Sequence, residues 1–196
     1  MKPKEILVLG ASGQIGRHLL RKLTKKNFKI TAVTRNIHRK GYILKSAANA
    51  GWLDLIELEK FNTEKLSELF RNKDICINLI GILNESKNFS FHNIHCLLPK
   101  KLAQLAKENN LKQFIHISAL GVENATESKY ASSKLNGENE IKKINNNHVI
   151  LKPSIVYSVD DSFTTMLMSL LKLSPIFPLY YNGKTIFHPI HVTDIC

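Results

Sequence analysis

The sequence predicts an α/β fold built on a doubly wound parallel sheet that has helices on both faces. First, a short apolar run at residues 6–9 leads into a glycine-rich turn and then into a helical pattern. Second, apolar runs and helical patterns alternate along most of the chain, as βαβ units require. Third, residues 75–80 are apolar almost throughout, which is typical of a strand covered on both faces. Together these patterns indicate a Rossmann-type sheet.

The elements of the first half follow from hydrophobic periodicity and from capping residues. Ile15, Leu19 and Leu23 share one face of the first helix. Asn62 has the side chain of a helix N-cap, and Gly51 should close the second helix. Strands are predicted at residues 6–9, 28–34, 53–58 and 75–80, and helices at residues 14–25, 41–50 and 63–70.

The second half continues the alternation and then changes character. A helix at 92–109 should kink at Pro99, because proline disturbs the preceding helical turn. A polar loop at 84–90 precedes this helix, and a strand at 113–117, a helix from 130 towards 145 and a strand at 148–151 follow it. After them come a short amphipathic helix at 163–173, a proline-fixed segment at 173–178, a short strand at 185–189 and the start of a helix at 191–194. We therefore expect a Rossmann domain at 1–157 and an incomplete C-terminal lobe at 158–196.

The glycine-rich turn predicts a nucleotide site. In chain order, its site residues are Gly10, Ser12, Gly13, Gln14, Ile15 and Gly16. The first glycine permits a tight turn, the second lets a pyrophosphate approach the backbone, and the third lets the helix pack closely on the strand. The free N–H groups of the first helical turn favour an anion there. A tight strand–helix turn without a ligand is the alternative, but this position between strand and helix favours a dinucleotide.

Arg35 indicates which dinucleotide the site prefers. It follows the second strand, where this type of fold places the adenosine ribose. An acidic residue would bind the 2′-hydroxyl of NAD, whereas an arginine can bind the 2′-phosphate of NADP. Arg35 therefore favours NADP(H) over NAD(H), with Arg17 in an assisting role, and an ordinary surface arginine is the alternative. We also expect Asn78, Ile80 and Gly81 near the cofactor, because ligands lie beyond the carboxyl ends of the strands.

Tyr130 and Lys134 are the candidate catalytic pair. They are four residues apart and share one face of a predicted helix. A nearby ammonium stabilises a phenolate, so Lys134 should lower the pKa of Tyr130 from its usual value of about 10. Lys134 could also bind the nicotinamide ribose, Ser118 could orient a substrate oxygen, and Tyr130 would then donate a proton during hydride transfer. Pro153 and Ile155, after the sixth strand, complete the expected cofactor contacts.

The composition limits the possible partners. The formal net charge is +12, but the lysines occur as short pairs along helical patterns and no nucleic-acid motif accompanies them. We therefore expect solvated helix faces, no nucleic-acid partner and, at most, docking to an acidic protein surface. No apolar run reaches the ~18 residues of a membrane helix. The first strand begins almost at the N-terminus, so we expect no signal peptide and a cytoplasmic protein.

The cysteine and histidine pattern does not predict a metal site. Cys76, Cys96 and Cys196 are odd in number and lack C-x-x-C spacing, which indicates neither zinc nor a disulfide framework. His92, His95 and Cys96 lie within one helical turn, but no third hard ligand accompanies them at helical spacing. Partial burial is therefore the favoured interpretation of this group.

Six stretches, in this order, carry a resemblance to a known family: Gly10-x-x-Gly13-x-x-Gly16, residues 78–83, residues 116–121, Tyr130-x-x-x-Lys134, residues 152–156 and residues 188–194. They resemble an atypical, extended short-chain dehydrogenase/reductase. Residues 78–83 and 116–121 are most similar to the branch that contains the 39 kDa accessory subunit of respiratory complex I. The resemblance implies tight NADPH binding, possible association with respiratory complex I at the inner membrane, and a stabilising rather than a catalytic role.

Several departures from the family pattern limit what is expected. Ser158 replaces a glycine, residues 58–62 contain no aspartate near the adenine, and Ser118 is not at the usual catalytic serine position. Family members also continue into a larger substrate-side lobe. The expected function is a structural or cofactor-sensing NADP(H)-binding protein. The alternatives are an active NADPH-dependent reductase or epimerase that uses Tyr130 and Lys134, and a truncated remnant that binds nucleotide weakly or not at all.

Overall fold

The computed structural model of the protein describes residues 3–173, 182, 184 and 186–196. Six parallel strands form its main sheet in the spatial order β3-β2-β1-β4-β5-β6. They are β1 Glu5–Leu9, β2 Lys29–Thr34, β3 Leu53–Glu57, β4 Ile75–Asn78, β5 Gln113–Ile117 and β6 His148–Leu151. The strand order reverses between β1 and β4, where a doubly wound sheet opens a crevice for ligands. The predicted Rossmann-type sheet is confirmed.

Helices cover both faces of this sheet. They are α1 Gln14–Lys25, α2 Ile37–Ser46, α3 Thr63–Phe70, α4 Leu98–Glu108 and α5 Lys129–Ile144. The side chains of β1 alternate between two apolar cores: Leu7 packs with residues of α3, α4 and α5, and Val8 packs with residues of α1 and α2. Burial on both faces explains the continuous apolar character of the central strands.

The second helix differs from its prediction. It begins at Ile37 because the side chain of Asn36 caps it, accepting a 2.8 Å hydrogen bond from the Arg39 N–H. Gly41 lies buried inside this helix, and the helix ends at Ser46, so the predicted span 41–50 was wrong. The predicted Asn62 cap of α3 is confirmed by a 2.8 Å bond from the Glu64 N–H.

A kink was predicted at Pro99, and the structure instead has a distorted helical segment just before the proline. His92–Leu97 form a π-helical segment, and Pro99 occupies the first turn of α4, where its missing N–H costs nothing. The π-helical segment packs directly on the backbone of α5 at Gly137. A Cβ at Gly137 would lie only 1.8 Å from the His95 carbonyl oxygen, so only glycine fits there.

The chain after β6 returns to the first helix. A second, two-stranded parallel sheet pairs β7 Val156–Tyr157 with β8 Ile190–His191. Along the chain, α6 Ser162–Leu173 comes between these two strands, and α7 Val192–Ile195 follows them and packs on α1. The strand predicted at residues 185–189 lies further along the chain. Residues 186–189 are not paired with another strand, and the observed strand is β8 at Ile190–His191. Of the predicted proline-fixed segment at 173–178, only residue 173 belongs to the described part of the chain. Residue 185 is also outside the described residues. Among the helices described, none is long and apolar enough to cross a membrane.

We predict that Gly137→Ala destabilises the fold strongly. The new methyl group would overlap backbone atoms, which can relax only by separating α5 from the π-helical segment. We expect a loss of about 3 kcal/mol in the free energy of unfolding, measured by urea denaturation. Gly41→Ala is the matched control, because its Cβ would meet side-chain atoms and no backbone: Ile37 at 3.1 Å and Leu55 at 3.8 Å. We expect the control to change stability by less than about 1 kcal/mol, and equal losses would contradict the role of the close approach.

Candidate functional site

The glycine-rich turn forms the centre of the candidate site. Gly10 adopts φ +79°, and a Cβ there would lie 2.9 Å from the carbonyl carbon of Leu79. At Gly16, a Cβ would lie 2.4 Å from the carbonyl oxygen of Ala11. The turn is therefore pressed against the segment that follows β4, and α1 begins at Gln14 immediately beyond it. This leaves the first N–H groups of α1 without helical partners at the head of the crevice.

Two cavities meet at this turn, and we name each after the part of the cofactor that the sequence predicts there. The adenosine-side cavity, of about 320 Å³, lies beyond β2 and is lined by Ser12, Thr34, Arg35, Lys40, Phe61 and Phe89. The nicotinamide-side cavity, of about 760 Å³, lies beyond β5 and β6 and is lined by Gln14, Ser118, Tyr130, Lys134, Pro153 and Ile155. Both cavities are lined by Gly10, Gly13, Leu79, Gly81 and Ile82. Every residue predicted for the site lines one cavity or both, except Asn78 and the assisting Arg17.

The adenosine-side cavity contains two cationic side chains. Arg35 follows β2, and its guanidinium carbon lies 5.1 Å from the centre of the Phe89 ring, a cation–π contact. Lys40, on α2, lines the same cavity. Lys40 was not predicted as a site residue, because the predicted helix began after this residue. With the helix start corrected, Lys40 lies in the second turn and close to the end of β2.

Arg17 does not share this cavity. Its guanidinium donates a 2.6 Å hydrogen bond to the Asp160 carboxylate and a 3.0 Å bond to the Ser12 carbonyl oxygen. This ion pair holds the pKa of Asp160 well below its usual range, and His18 and Ser158 bind the same carboxylate. The expectation that Arg17 assists Arg35 was therefore wrong. Arg17 instead anchors the turn that follows β7.

The side chain of Gln14 also holds the chain after β7. Its amide nitrogen donates to the Val156 carbonyl oxygen at 3.2 Å and to the Ser158 hydroxyl at 2.8 Å. Ser158, which replaces the family's glycine, is buried and is connected to the start of α1 in this way. The wall of the nicotinamide-side cavity at Val156 is thus fixed to the glycine turn.

Asn78 lies behind the cavities. It is fully buried; its amide nitrogen donates to His116 Nδ1 at 3.0 Å, and its amide oxygen accepts from the Ile80 N–H at 3.1 Å. Asn78 therefore orients the backbone that lines the crevice and does not line it itself. Burial, with Lys134 nearby, lowers the pKa of His116 to about 3, so this imidazole is neutral. Within the described residues, His116 Nε2 has no hydrogen-bond partner.

Lys134 is buried beside the segment after β4. Its ammonium donates a 3.1 Å hydrogen bond to the Ile117 carbonyl oxygen. A Cβ at Gly81 would lie 3.4 Å from Lys134 Nζ, so glycine leaves space above the ammonium. Burial lowers the pKa of Lys134 to about 8, while the Glu138 carboxylate opposes this shift. The lysine is still mostly protonated at neutral pH.

The hydroxyl of Ser118 has a buried carboxylate as its partner. Ser118 Oγ donates a 2.5 Å hydrogen bond to Glu138 Oε1. Glu138 is fully buried, and its other oxygen lies 2.9 Å from Lys152 Nζ in an ion pair. Glu138 was not predicted as part of the site, although it follows Lys134 by one helical turn on the same face. The structure thus gives Ser118 an internal partner, whereas the sequence predicted that it orients a substrate.

Tyr130 lines the nicotinamide-side cavity among aromatic rings. Its ring makes edge contacts with Phe91 and His95, with centroid distances of 5.7 and 5.3 Å. Burial raises the pKa of the Tyr130 phenol. The expected lowering by Lys134 was therefore wrong for this geometry, because desolvation of the phenolate dominates.

His95 connects the wall of the cavity to α5. Its Nε2 accepts a 3.1 Å hydrogen bond from the Ile82 N–H, and its Nδ1 lies 3.0 Å from the Ser133 hydroxyl. Ser133 in turn donates to the Tyr130 carbonyl oxygen at 2.7 Å. These bonds require the neutral tautomer with the proton on Nδ1, and burial lowers the pKa of His95 to about 4. His95 is a structural link, and no group of three or more potential ligands within the described residues could hold a metal ion.

Comparisons with known proteins find related sequences and related folds. The family model for NAD(P)H-binding domains matches residues 10–168. The chain is 28% identical over 189 residues to the mitochondrial 40 kDa subunit of NADH-ubiquinone oxidoreductase from Neurospora crassa. It is 24% identical over 194 residues to a ceramide reductase from Caulobacter vibrioides. These alignments confirm the resemblance that the motifs predicted.

The alignments cover 96% of this chain but 49% of the Neurospora subunit and 57% of the ceramide reductase. The chain thus spans about half the length of the curated relatives it matches. Among solved structures, a dTDP-glucose 4,6-dehydratase from Streptomyces venezuelae with NAD bound has a TM-score of 0.78 and 16% identity. That comparison covers 98% of this chain and 69% of the dehydratase, and it supports the fold.

We predict that stability falls as the pH is lowered from about 6.5 to about 4. His95 and His116 are buried and neutral, with pKa values of about 4 and about 3 in the folded protein. The unfolded chain protonates its histidines at about pH 6.5, so in this window it binds protons that the folded chain does not. His95 alone should contribute a loss of about 3 kcal/mol across the window.

Urea unfolding at several pH values measures this loss. His95→Gln should reduce the slope of stability against pH by about one proton between pH 6 and pH 5. His92→Gln is the matched control, because His92 lies on the same π-helical segment and is exposed. A variant slope equal to that of the wild type would contradict the buried, neutral state of His95.

Proposed function

The chain belongs to the family of NAD(P)H-binding domains, and from this premise we propose that it binds NADP(H) in preference to NAD(H). We further propose that it acts as a structural or cofactor-sensing protein related to the accessory subunit of complex I. The observation that supports the proposal best is the pair of cavities that meet at Gly10 and Gly81. One end of this continuous crevice has two cations, and the other end has the tyrosine–lysine pair.

The residues of the crevice fit a dinucleotide. At Gly10, a side chain would collide with the backbone after β4, so a glycine there keeps the turn tight beside the crevice. The N–H groups at the start of α1 would bind the pyrophosphate. Phe61 and Phe89 would contact the adenine, and Arg35 with Lys40 would bind a 2′-phosphate. Lys134 would bind the nicotinamide ribose. A bound nicotinamide supplies hydride chemistry, and Tyr130 is the group that could hold a proton beside it.

The contacts of Ser118 and Tyr130 support a structural role. The Ser118 hydroxyl is bonded to Glu138 and is not free for a substrate. The pKa of Tyr130 is raised by burial, which makes the phenol a weaker proton donor at neutral pH. The Neurospora relative is named as a subunit of NADH-ubiquinone oxidoreductase. We propose respiratory complex I, or another assembly with an acidic surface, as the partner, since the net charge of +12 would favour such docking.

We propose that residues 1–157 form the cofactor domain and that residues 158–196 belong to a substrate-side lobe. Gln14 and Arg17 bind the turn that follows β7, so this lobe is attached at the glycine turn. A cytoplasmic location, with peripheral attachment at the inner membrane through the partner, is consistent with this proposal.

An active NADPH-dependent reductase is the second candidate. Burial lowers the pKa of Lys134 to about 8, and a desolvated ammonium in the same cavity as Tyr130 is the arrangement that proton transfer to a substrate would use. One relative is named a ceramide reductase. Under this candidate, Tyr130 would supply the proton and Lys134 would position the cofactor.

We predict that Arg35→Asp weakens NADPH binding at least about tenfold and changes NADH binding by less than about threefold. Loss of a hydrogen bond to a charged group and a new repulsion with the 2′-phosphate cause the difference. Lys40→Ala should have a smaller effect in the same direction. Fluorescence titration of both reduced cofactors measures the affinities.

Arg39→Asp is the matched control for this charge change. Arg39 is exposed on α2, and it does not line the adenosine-side cavity. NADPH affinity should therefore change by less than about threefold, since an exposed charge outside the site is screened by salt. Equal losses of NADPH and NADH in Arg35→Asp would contradict the assignment of a 2′-phosphate site.

Tyr130→Phe separates the two candidate functions. The substitution removes one hydroxyl and keeps the ring that contacts Phe91 and His95. We expect NADPH affinity to change by less than about threefold and thermal stabilisation by NADPH to persist. If the wild-type protein oxidises NADPH with a carbonyl compound and Tyr130→Phe does not, the reductase replaces the structural role as the better proposal.

A further inference from the structure

The opening of the nicotinamide-side cavity is surrounded by exposed apolar side chains. Leu83, Leu120, Phe163, Ile186 and Phe187 line this cavity, and they are between 43% and 79% exposed. We call these five residues the apolar rim. They come from four separate segments: the chains after β4 and after β5, α6, and the chain before β8. Single exposed apolar residues are ordinary, but convergence around one opening marks a binding surface.

Charge is scarce in the same cavity. Among the described residues that line it, Lys134 is the only lysine, arginine, aspartate or glutamate. That ammonium is buried and bonded to the Ile117 carbonyl oxygen. The scarcity contrasts with the net charge of +12 for the whole chain. His188 also lines the cavity, but no other described lining residue is a lysine or arginine at the rim. A phosphorylated ligand beside the nicotinamide would therefore meet at most one imidazole among the described residues, and burying its charge without a cationic partner would be costly.

The buried polar groups of the cavity come from α5. Lys134 Nζ lies next to Gly81, which lines both cavities, and Tyr130 is one helical turn before Lys134, whereas the residues of the apolar rim are exposed. A ligand that matches this distribution has one small polar group directed inward and a hydrocarbon part directed outward. A cavity of about 760 Å³ can hold part of such a ligand in addition to the cofactor's reactive end.

We propose that the ligand facing the cofactor is an uncharged carbonyl compound or alcohol that carries a hydrocarbon chain. Its oxygen lies near Tyr130, and its chain lies along the apolar rim. This inference rests on the proposed function, because it requires a cofactor in the adjoining part of the crevice. It assigns the class of ligand, and it holds whether the ligand is reduced or only bound.

Chain-length dependence tests the proposal. The wild-type chain is first titrated with NADPH, and the loaded protein is then titrated with 2-butanone, 2-hexanone and 2-decanone by calorimetry. Affinity should increase by up to about fourfold for each methylene buried, until the rim is covered, with a negative heat-capacity change. UDP-glucose, which carries two phosphates, should bind at least about tenfold more weakly than 2-decanone.

Two rim substitutions test the location. Leu120→Asp and Leu83→Asp each place a carboxylate in the rim, and each should weaken 2-decanone binding at least about tenfold, with NADPH affinity changed by less than about threefold. Leu97→Asp is the matched control, since Leu97 is a 47% exposed leucine outside this cavity. It should leave 2-decanone binding unchanged. Sedimentation velocity of all three variants detects a change in association.

The outcomes are distinguishable. If the wild-type chain does not bind NADPH, the proposed function fails and this inference fails with it. If NADPH binds but the ketones show no dependence on chain length, or UDP-glucose binds as well as 2-decanone, only this inference is overturned. It is also overturned if the rim variants bind 2-decanone normally, or if their main effect is to separate associated chains, which would identify the rim as a protein contact.

Discussion

The close approach between Gly10 and the backbone after β4 is the constraint on which the candidate site depends. A methyl group at Gly10 would lie 2.9 Å from the Leu79 carbonyl carbon. Both cavities are lined by this turn and by Gly81, so the place where these two backbones pack together is also the place where the cavities meet. The position of this contact follows from the sheet topology, because β1 and β4 are neighbours at the point where the strand order reverses.

Buried polar groups fix the other walls of the crevice. Glu138, on α5, accepts from Ser118 after β5 and pairs with Lys152 after β6. His95 connects Ile82 to the same helix through Ser133. An unpartnered buried charge is costly, so each of these pairs restrains two elements at once. Tyr130 and Lys134 therefore lie on a helix, α5, that is held by contacts with the segments after β4, β5 and β6.

The sequence predicted the fold and most of the crevice because both depend on local patterns. Apolar strands, the glycine spacing and the Asn62 cap are each readable within a few residues. The errors arose where the position or pKa of a side chain depends on residues that are distant in the sequence. Asp160, which is 143 residues from Arg17 along the chain, determines where that guanidinium lies. The raised pKa of Tyr130 reflects burial under residues of other elements, which spacing along one helix does not reveal.

The two ends of the crevice use different physical interactions. Arg35 and Lys40 place positive charge at the adenosine end, so the proposed selectivity there would depend on a ligand phosphate and would weaken with salt. Leu83 and Leu120 place apolar surface at the opposite end, so the proposed selectivity there would depend on buried hydrocarbon and would be nearly independent of salt. Because the glycine turn separates them, a substitution at one end need not alter the other.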